Sequence, residues 1–289
     1  MKIGCISWSH RKGFQEGKMD VFTWMEHCKK DCGLDGVELW NNHFDSLDQI
    51  YLKKIRQKAE ELSLSIYSVA TKCIFGDFSE EEIRCAKQVM RDWLEAADQL
   101  DAPVMRISVA GKELHDPIHQ EQVFTSLAEV VREGIYPKIQ VGIENQEPGV
   151  VQNIADVKKM TEITGGCIKL ILDNGSFLQK DDSYEFMKQT LPEAAVVHTK
   201  FFRIRADGSD EMLDYEKIRD ILEASDYDGY LSIEYDSQEP AVRDVPKIAT
   251  YLKKLFARGQ TFPDSEVSLA GGKEPVCVKH TKCGTPGRE

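Results

Sequence analysis

No apolar run in this chain approaches the roughly 18 residues that a membrane-spanning helix needs. No block of Lys and Arg is longer than two, so the basic stripe that a nucleic-acid partner requires is missing. Positive charge is scarce overall. There are 37 Lys and Arg against 49 Asp and Glu, and the net charge of −12 repels a phosphate backbone. Met1-Lys-Ile-Gly-Cys5 opens directly into a strand-like segment and lacks the layout of a signal peptide. The eight cysteines form no dense framework and fall mostly inside expected strands and helices, which suits a reducing cytoplasm. No Gly-rich fingerprint follows the first strand, which argues against a doubly wound dinucleotide-binding sheet. Low-complexity segments and internal repeats are also lacking. The expectation is a cytoplasmic globular protein with neither membrane nor nucleic acid as partner; homo-oligomerisation stays open.

What is present concentrates between residues 139 and 235. Four short runs rich in Ile, Val and Leu each end in a residue able to bind a metal. Ile139-Gln-Val-Gly-Ile143 ends at Glu144, followed by Asn145. Ile168-Lys-Leu-Ile-Leu172 ends at Asp173, followed by Asn174. Ala195-Val-Val197 ends at His198, with Lys200 two residues on, and Leu231-Ser-Ile233 ends at Glu234. Short continuous apolar runs of this kind read as buried parallel strands. If all four belong to one barrel, their C-terminal ends meet at one mouth. Three carboxylates and one imidazole there form an oxygen-rich site for a divalent ion: manganese, magnesium, cobalt or zinc.

The whole chain keeps the same rhythm. Strands are expected over 2–8, 36–40, 64–70 and 104–109 before the four just named. Helical segments intervene. Asp20 is the expected cap of a helix over 21–31, whose Val21, Trp24, Met25 and Cys28 form one buried stripe. Ser79 and Glu82 read as a capping box at the start of a helix reaching about residue 100. Asp182 or Ser183 caps the helix before the seventh strand. Eight strands alternating with helices at intervals of roughly 30 residues predict an α/β fold of one domain, a (β/α)₈ barrel over 1–262. The remainder, 263–289, is rich in Gly, Pro, Lys and Ser and reads as a flexible C-terminal tail. Its Cys277, His280 and Cys283 offer only three ligands, so incidental thiols are favoured over a zinc site.

At this point the chain resembles a known family. The order Glu, Asp, His, Glu at the ends of strands 5 to 8 is similar to that of the xylose isomerase-like TIM barrel superfamily of sugar isomerases and epimerases. The segments that carry the resemblance are Val141-Gly-Ile-Glu144-Asn145, Leu170-Ile-Leu-Asp173, Val197-His198-Thr-Lys200 and Gly229-Tyr-Leu-Ser-Ile-Glu234. Gly36-Val-Glu38-Leu-Trp40 resembles the superfamily's strand-2 signature. The similarity covers residues 1 to about 256. It implies a metal-dependent enzyme acting on a small sugar. One position departs: epimerases of this group usually carry a His three residues after the strand-6 Asp, where this chain has Ser176.

The chemistry can be read from the residues as well. Isomerising a ketose removes a proton beside a carbonyl and returns it elsewhere, and a metal held by both substrate oxygens stabilises the enediolate. Two carboxylates flanking the substrate serve as base and acid. Glu144 and Glu234 lie on non-adjacent strands and can do both jobs, as the resemblance also implies, while Asp173 and His198 are ligands only. His198 should bind as neutral imidazole, with its other nitrogen held by an acceptor behind it. Glu38 either touches substrate or orients a ligand. Lys200 neutralises an enolate or a substrate carboxylate, or pairs with a nearby acid. Arg106 faces the barrel interior and is expected to be paired there. Trp8, Trp40, Phe75 and Phe201 are candidates to stack on a sugar, with plain packing as the alternative. Asn145 is a further substrate contact. An elimination of the inosose or dehydroshikimate dehydratase type is the alternative reaction, and a C-glycoside deglycosidase subunit a third. The apurinic endonuclease branch fits poorly, because its three metals need more well-placed histidines than the seven here supply. A non-catalytic binding barrel is the reading from a different class.

Overall fold

Val, Ile and Leu on alternating faces of eight short segments produce eight strands, and every neighbouring pair is parallel. They are β1 (Lys2–Ile6), β2 (Gly36–Trp40), β3 (Ser65–Ile74), β4 (Val104–Ala110), β5 (Gln140–Glu144), β6 (Ile168–Asp173), β7 (Ala194–Phe201) and β8 (Tyr230–Tyr235). The order is sequential and β8 closes on β1, so the sheet is a closed barrel. The structure is a computed structural model that describes residues 1–176 and 183–257. The helices are α1 (Arg11–Gln15), α2 (Val21–Lys30), α3 (Gln49–Glu61), α4 (Glu80–Gln99), α5 (Pro117–Arg132), α6 (Ile154–Thr164), α7 (Ser183–Thr190), α8 (Tyr215–Glu223) and α9 (Ala241–Ala257). Among the described residues no helix is long and apolar enough to cross a membrane.

Local chemistry sets the helix ends. Asp20 caps α2 by accepting from the Thr23 backbone N–H at 2.8 Å. Asp48, Asp116, Asn153 and Asp214 cap α3, α5, α6 and α8 in the same way. Ser79 caps α4, but the return arm of the expected capping box lands elsewhere. The Glu82 carboxylate accepts from the Asp77 backbone N–H at 2.6 Å. Gly165 ends α6 with φ of +62°, a conformation that favours glycine.

Three expectations shift. The first strand stops at Ile6, because Ser7–His10 turns into a 3₁₀ helix, so Trp8 leaves the sheet at the barrel mouth. Strand β3 runs on to Ile74, four residues past its expected end. Phe75 and Phe201 are fully buried in the core between barrel and helices, and Phe201 stacks on Tyr215 at 4.4 Å, so neither is a sugar platform. The cap expected at Asp182, the 263–289 segment and the Cys277, His280 and Cys283 set lie outside the described residues.

Inside the barrel, the N-terminal half is a solid plug. Val37 of β2 pairs with Ile66, yet Glu38 pairs with Ser68, so Tyr67 is an extra residue in β3. A bulge of this kind re-aims a side chain. The Tyr67 ring stacks on Tyr230 at 4.0 Å and packs with Ile171 and Val196. Glycines make the room. A Cβ on Gly4 would lie 2.2 Å from the Tyr67 ring, and one on Gly142 would lie 2.7 Å from Ile171. With the lower half filled, polar side chains at the C-terminal ends of the strands form the only chemically active layer among the described interior positions.

Candidate active site

Strand register carries the site. Asp173 is level with His198, His198 with Ser232, and Lys200 with Glu234. Residues level in a sheet point to one face, and here that face is the barrel interior. The donor atoms of Glu144, His198 and Glu234 all lie within 4.8 Å of one another. All three residues are buried, His198 completely.

His198 is the hub. Its Nδ1 lies 2.7 Å from Glu234 Oε2, and its Nε2 lies 2.9 Å from Glu38 Oε2. Glu144 Oε1 is 3.1 Å from the same Nδ1 but off hydrogen-bond geometry, and it is left without a hydrogen-bond partner. The other Glu144 oxygen accepts from Arg106. Ser108 Oγ donates to that oxygen at 3.4 Å. Lys200 Nζ bridges Asp173 Oδ2 at 3.0 Å and Glu234 Oε1 at 2.8 Å. Asp173 Oδ1 accepts from the Gly175 backbone at 2.7 Å.

These contacts set the charge states. Burial pulls the His198 imidazole down, but the Glu38 charge, the close Glu144 carboxylate and the hydrogen bonds to Glu234 and Glu38 outweigh it and hold the ring well above its ordinary value. Burial pushes Glu234 up, yet Lys200 and His198 carry it well below the usual carboxylate range. Glu144 is lowered despite its burial, chiefly by Arg106. Asp173 goes the other way: burial, helped by the Glu234 and Glu144 charges, overcomes the pull of Lys200 and raises it. Lys200 is raised in spite of burial by the Asp173 and Glu234 charges.

The donor set fits a divalent cation. Four buried carboxylates, Glu38, Glu144, Asp173 and Glu234, face two permanent cations, Arg106 and Lys200. With His198 neutral, as ligation requires, that balance leaves two uncompensated negative charges in a low-dielectric interior, a costly state unless a dication enters. Glu144 Oε1, buried and unpartnered, is an atom such an ion would satisfy. Glu144, His198 and Glu234 would hold it through two carboxylate oxygens and Nδ1. Asp173 stands beside this triad, joined to it through Lys200.

The remaining candidates sort by contact. Glu38 is the acceptor behind His198, completely buried. Arg106 is paired with Glu144, as a buried Arg must be. Asn145 gives its amide to the Asp173 backbone, donating to the carbonyl at 2.9 Å and accepting from the N–H at 2.8 Å, so it braces the end of β6. Trp8 has two cations near its ring, the Arg11 guanidinium at 3.7 Å and Lys200 Nζ at 5.5 Å. Trp40 meets His43 edge-on at 5.0 Å and lines a cavity of about 670 Å³ with Phe14 and His43. Sequence reasoning missed Tyr67, Ser108 and Ser232. Ser232 was within reach, since it alternates with Glu234 in β8; Tyr67 depends on a bulge that no spacing announces.

The barrel has counterparts among known proteins. The family described as xylose isomerase-like TIM barrel matches residues 29–255. No curated protein sequence matches the chain. Among solved structures, a D-psicose 3-epimerase from Clostridium cellulolyticum H10, crystallised with D-tagatose, is 13% identical with a TM-score of 0.70. That match covers 89% of this chain and 99% of the epimerase. A sugar phosphate isomerase/epimerase from Parabacteroides distasonis is 18% identical with a TM-score of 0.69, over 88% and 98% of the two chains. A probable 3-DHS dehydratase from Bacillus anthracis is 13% identical with a TM-score of 0.70, over 88% and 99%.

Proposed function

The chain belongs to the xylose isomerase-like TIM barrel family, and from that premise we propose that it is a divalent-metal-dependent isomerase or epimerase of a small sugar, moving a proton beside a carbonyl. The observation that carries this reading is the convergence of Glu144, His198 and Glu234 at the barrel mouth, with Glu144 Oε1 left unpartnered. A bound dication supplies charge stabilisation for the substrate oxygens. The protein groups do the rest. Of Glu144 and Glu234, both held ionised, one takes the proton from carbon and, as the acid so formed, returns it to the enediolate, while the other steadies the opposite side. Glu38 holds the proton of His198 on Nε2, so that Nδ1 is the nitrogen that would ligate once its own proton is displaced from the contact with Glu234. Lys200 holds Asp173 and Glu234 in place and presents an ammonium to a developing enolate. The barrel walls and the plug below exclude water from one side.

Elimination of water is a second reading, favoured by Lys200. An ammonium 2.8 Å from Glu234 is placed to protonate a departing hydroxyl. One experiment addresses both. The protein is incubated with a panel of ketoses and inososes in heavy water with added manganese, and carbon-bound deuterium and product mass are read by mass spectrometry. Deuterium in a product of conserved mass supports isomerisation, and loss of water supports the lyase. The absence of exchange across the panel, in protein shown to bind manganese, would count against enolisation.

A further inference from the structure

A chain of hydrogen bonds runs from the barrel plug to the site. Tyr67 Oη donates to Ser232 Oγ at 2.6 Å. Ser232 Oγ donates to Glu38 Oε2 at 2.9 Å. Glu38 Oε2 faces His198 Nε2 at 2.9 Å. Each of these side chains is at most 2% exposed. The direction is forced: Ser232 spends its proton on a carboxylate, so it must accept the proton of Tyr67. Two donors then converge on a single oxygen of Glu38, while Glu38 Oε1 has no partner. A carboxylate with one loaded and one bare oxygen is free to turn unless its loaded side is pinned. Ser232 is the pin, and Tyr67 orients Ser232.

Tyr67 itself is held by the fold. The β3 bulge puts it inside, Tyr230 stacks on it, and Gly4 and Gly36 leave no Cβ to strike it. Tyr230 supplies an internal comparison. Its ring belongs to the same stacked pair, but its hydroxyl is buried without a partner.

We propose that Tyr67 and Ser232 are positioning residues that, through Glu38, aim Nδ1 of His198 at the metal position between Glu144 and Glu234. The inference rests on the metal-dependent reading above, and its test has a readout that does not need metal. Manganese affinity is measured by titration calorimetry for the wild type, Tyr67→Phe, Ser232→Ala and Tyr230→Phe. In parallel, the ring-nitrogen and Nε2 proton resonances of His198 are recorded for the metal-free, ¹⁵N-histidine-labelled proteins. The resonances are assigned with Glu38→Gln.

Groups that orient a metal ligand typically change affinity about 10–100-fold when removed. Ser232→Ala should weaken manganese binding about tenfold and Tyr67→Phe by less, with the Nε2 signals moved in both. Tyr230→Phe should leave both readouts at wild-type values. Wild-type affinity and unmoved Nε2 signals in Ser232→Ala and Tyr67→Phe would overturn the proposal, as would equal changes in Tyr230→Phe. If Ser232→Ala fails to fold, Tyr67→Phe against Tyr230→Phe decides. If the wild type binds no manganese, the metal reading fails, and the Nε2 signals alone decide whether the chain positions His198.

Discussion

Replacing Arg106 by Met tests the charge balance of the site directly. The guanidinium is 7% exposed and donates to Glu144; it also faces Glu234 and Glu38. Methionine keeps much of the stem and removes the charge. Lys200 would then be the one permanent cation against four buried carboxylates. Removing one partner of a buried pair costs about 3–5 kcal/mol, because the other is left uncompensated. In a chain of this size that corresponds to a fall in thermal midpoint on the order of 10 °C. A dication should return part of the loss. A ligand at 100 times its dissociation constant stabilises by about 2.7 kcal/mol, and the added negative charge in the variant should tighten binding and enlarge that increment. The assay is thermal and urea unfolding of wild type and Arg106→Met, each with chelator and with manganese. The expected pattern is a large loss in chelator and a manganese increment greater in the variant. A variant as stable as wild type in chelator, or one with no larger response to manganese, would refute the reasoning.

Ligation and proton transfer should separate in two further variants. Glu234→Gln keeps an oxygen for the metal and loses the base, so turnover should fall about 10²–10⁴-fold with a smaller change in manganese affinity. Asp173→Asn should lose less turnover at saturating manganese. Both are read as kcat and manganese Kd on the substrate that exchanges deuterium, and full rescue of Glu234→Gln by excess metal would reduce that residue to a ligand. Acid should destabilise the fold through His10. Burial, with the nearby His27 and His43, lowers its pKa to about 3 in the folded protein. The unfolded chain therefore binds the extra proton between about pH 6.5 and 3, and stability falls as pH drops through that window. His10→Phe should shrink the decrease in unfolding free energy between pH 7 and 5 by about 2 kcal/mol, and an unchanged decrease would count against the shift. Gly4→Ala should cost about 3 kcal/mol or more in urea unfolding, since the new methyl meets the Tyr67 ring, and much less in a Tyr67→Val background; equal costs in both would sink the contact.

Much of this was legible in the residues. Apolar runs with a periodic spacing gave the number, order and parallel sense of the strands. Glu144, Asp173, His198 and Glu234 could be placed at one mouth because strand ends in a barrel converge. What stayed hidden depended on side-chain direction and bulges. Asp173 is level with His198, yet its carboxylate turns to Lys200 at 3.0 Å rather than into the triad, and a strand pattern does not show where a side chain turns. Phe75 and Phe201 looked like mouth aromatics because they lie near strand ends, yet both are fully buried in the core, Phe201 against Tyr215 of α8. Tyr67 enters the interior through one extra residue, and an alternation rule cannot foresee that.

The filled lower half of the barrel has a kinetic consequence. Tyr67, Tyr230, Ile171 and Val196 stop the floor, so among the described residues the polar layer is open only toward the C-terminal mouth of the barrel. Substrate and product would share that one threshold. For the reaction proposed above, product would have to leave before the next substrate entered, and product inhibition should be competitive. Any solvent proton or deuteron that reaches Glu144 or Glu234 comes by that route too. Isotope exchange into a bound molecule would then depend on access through that mouth alone.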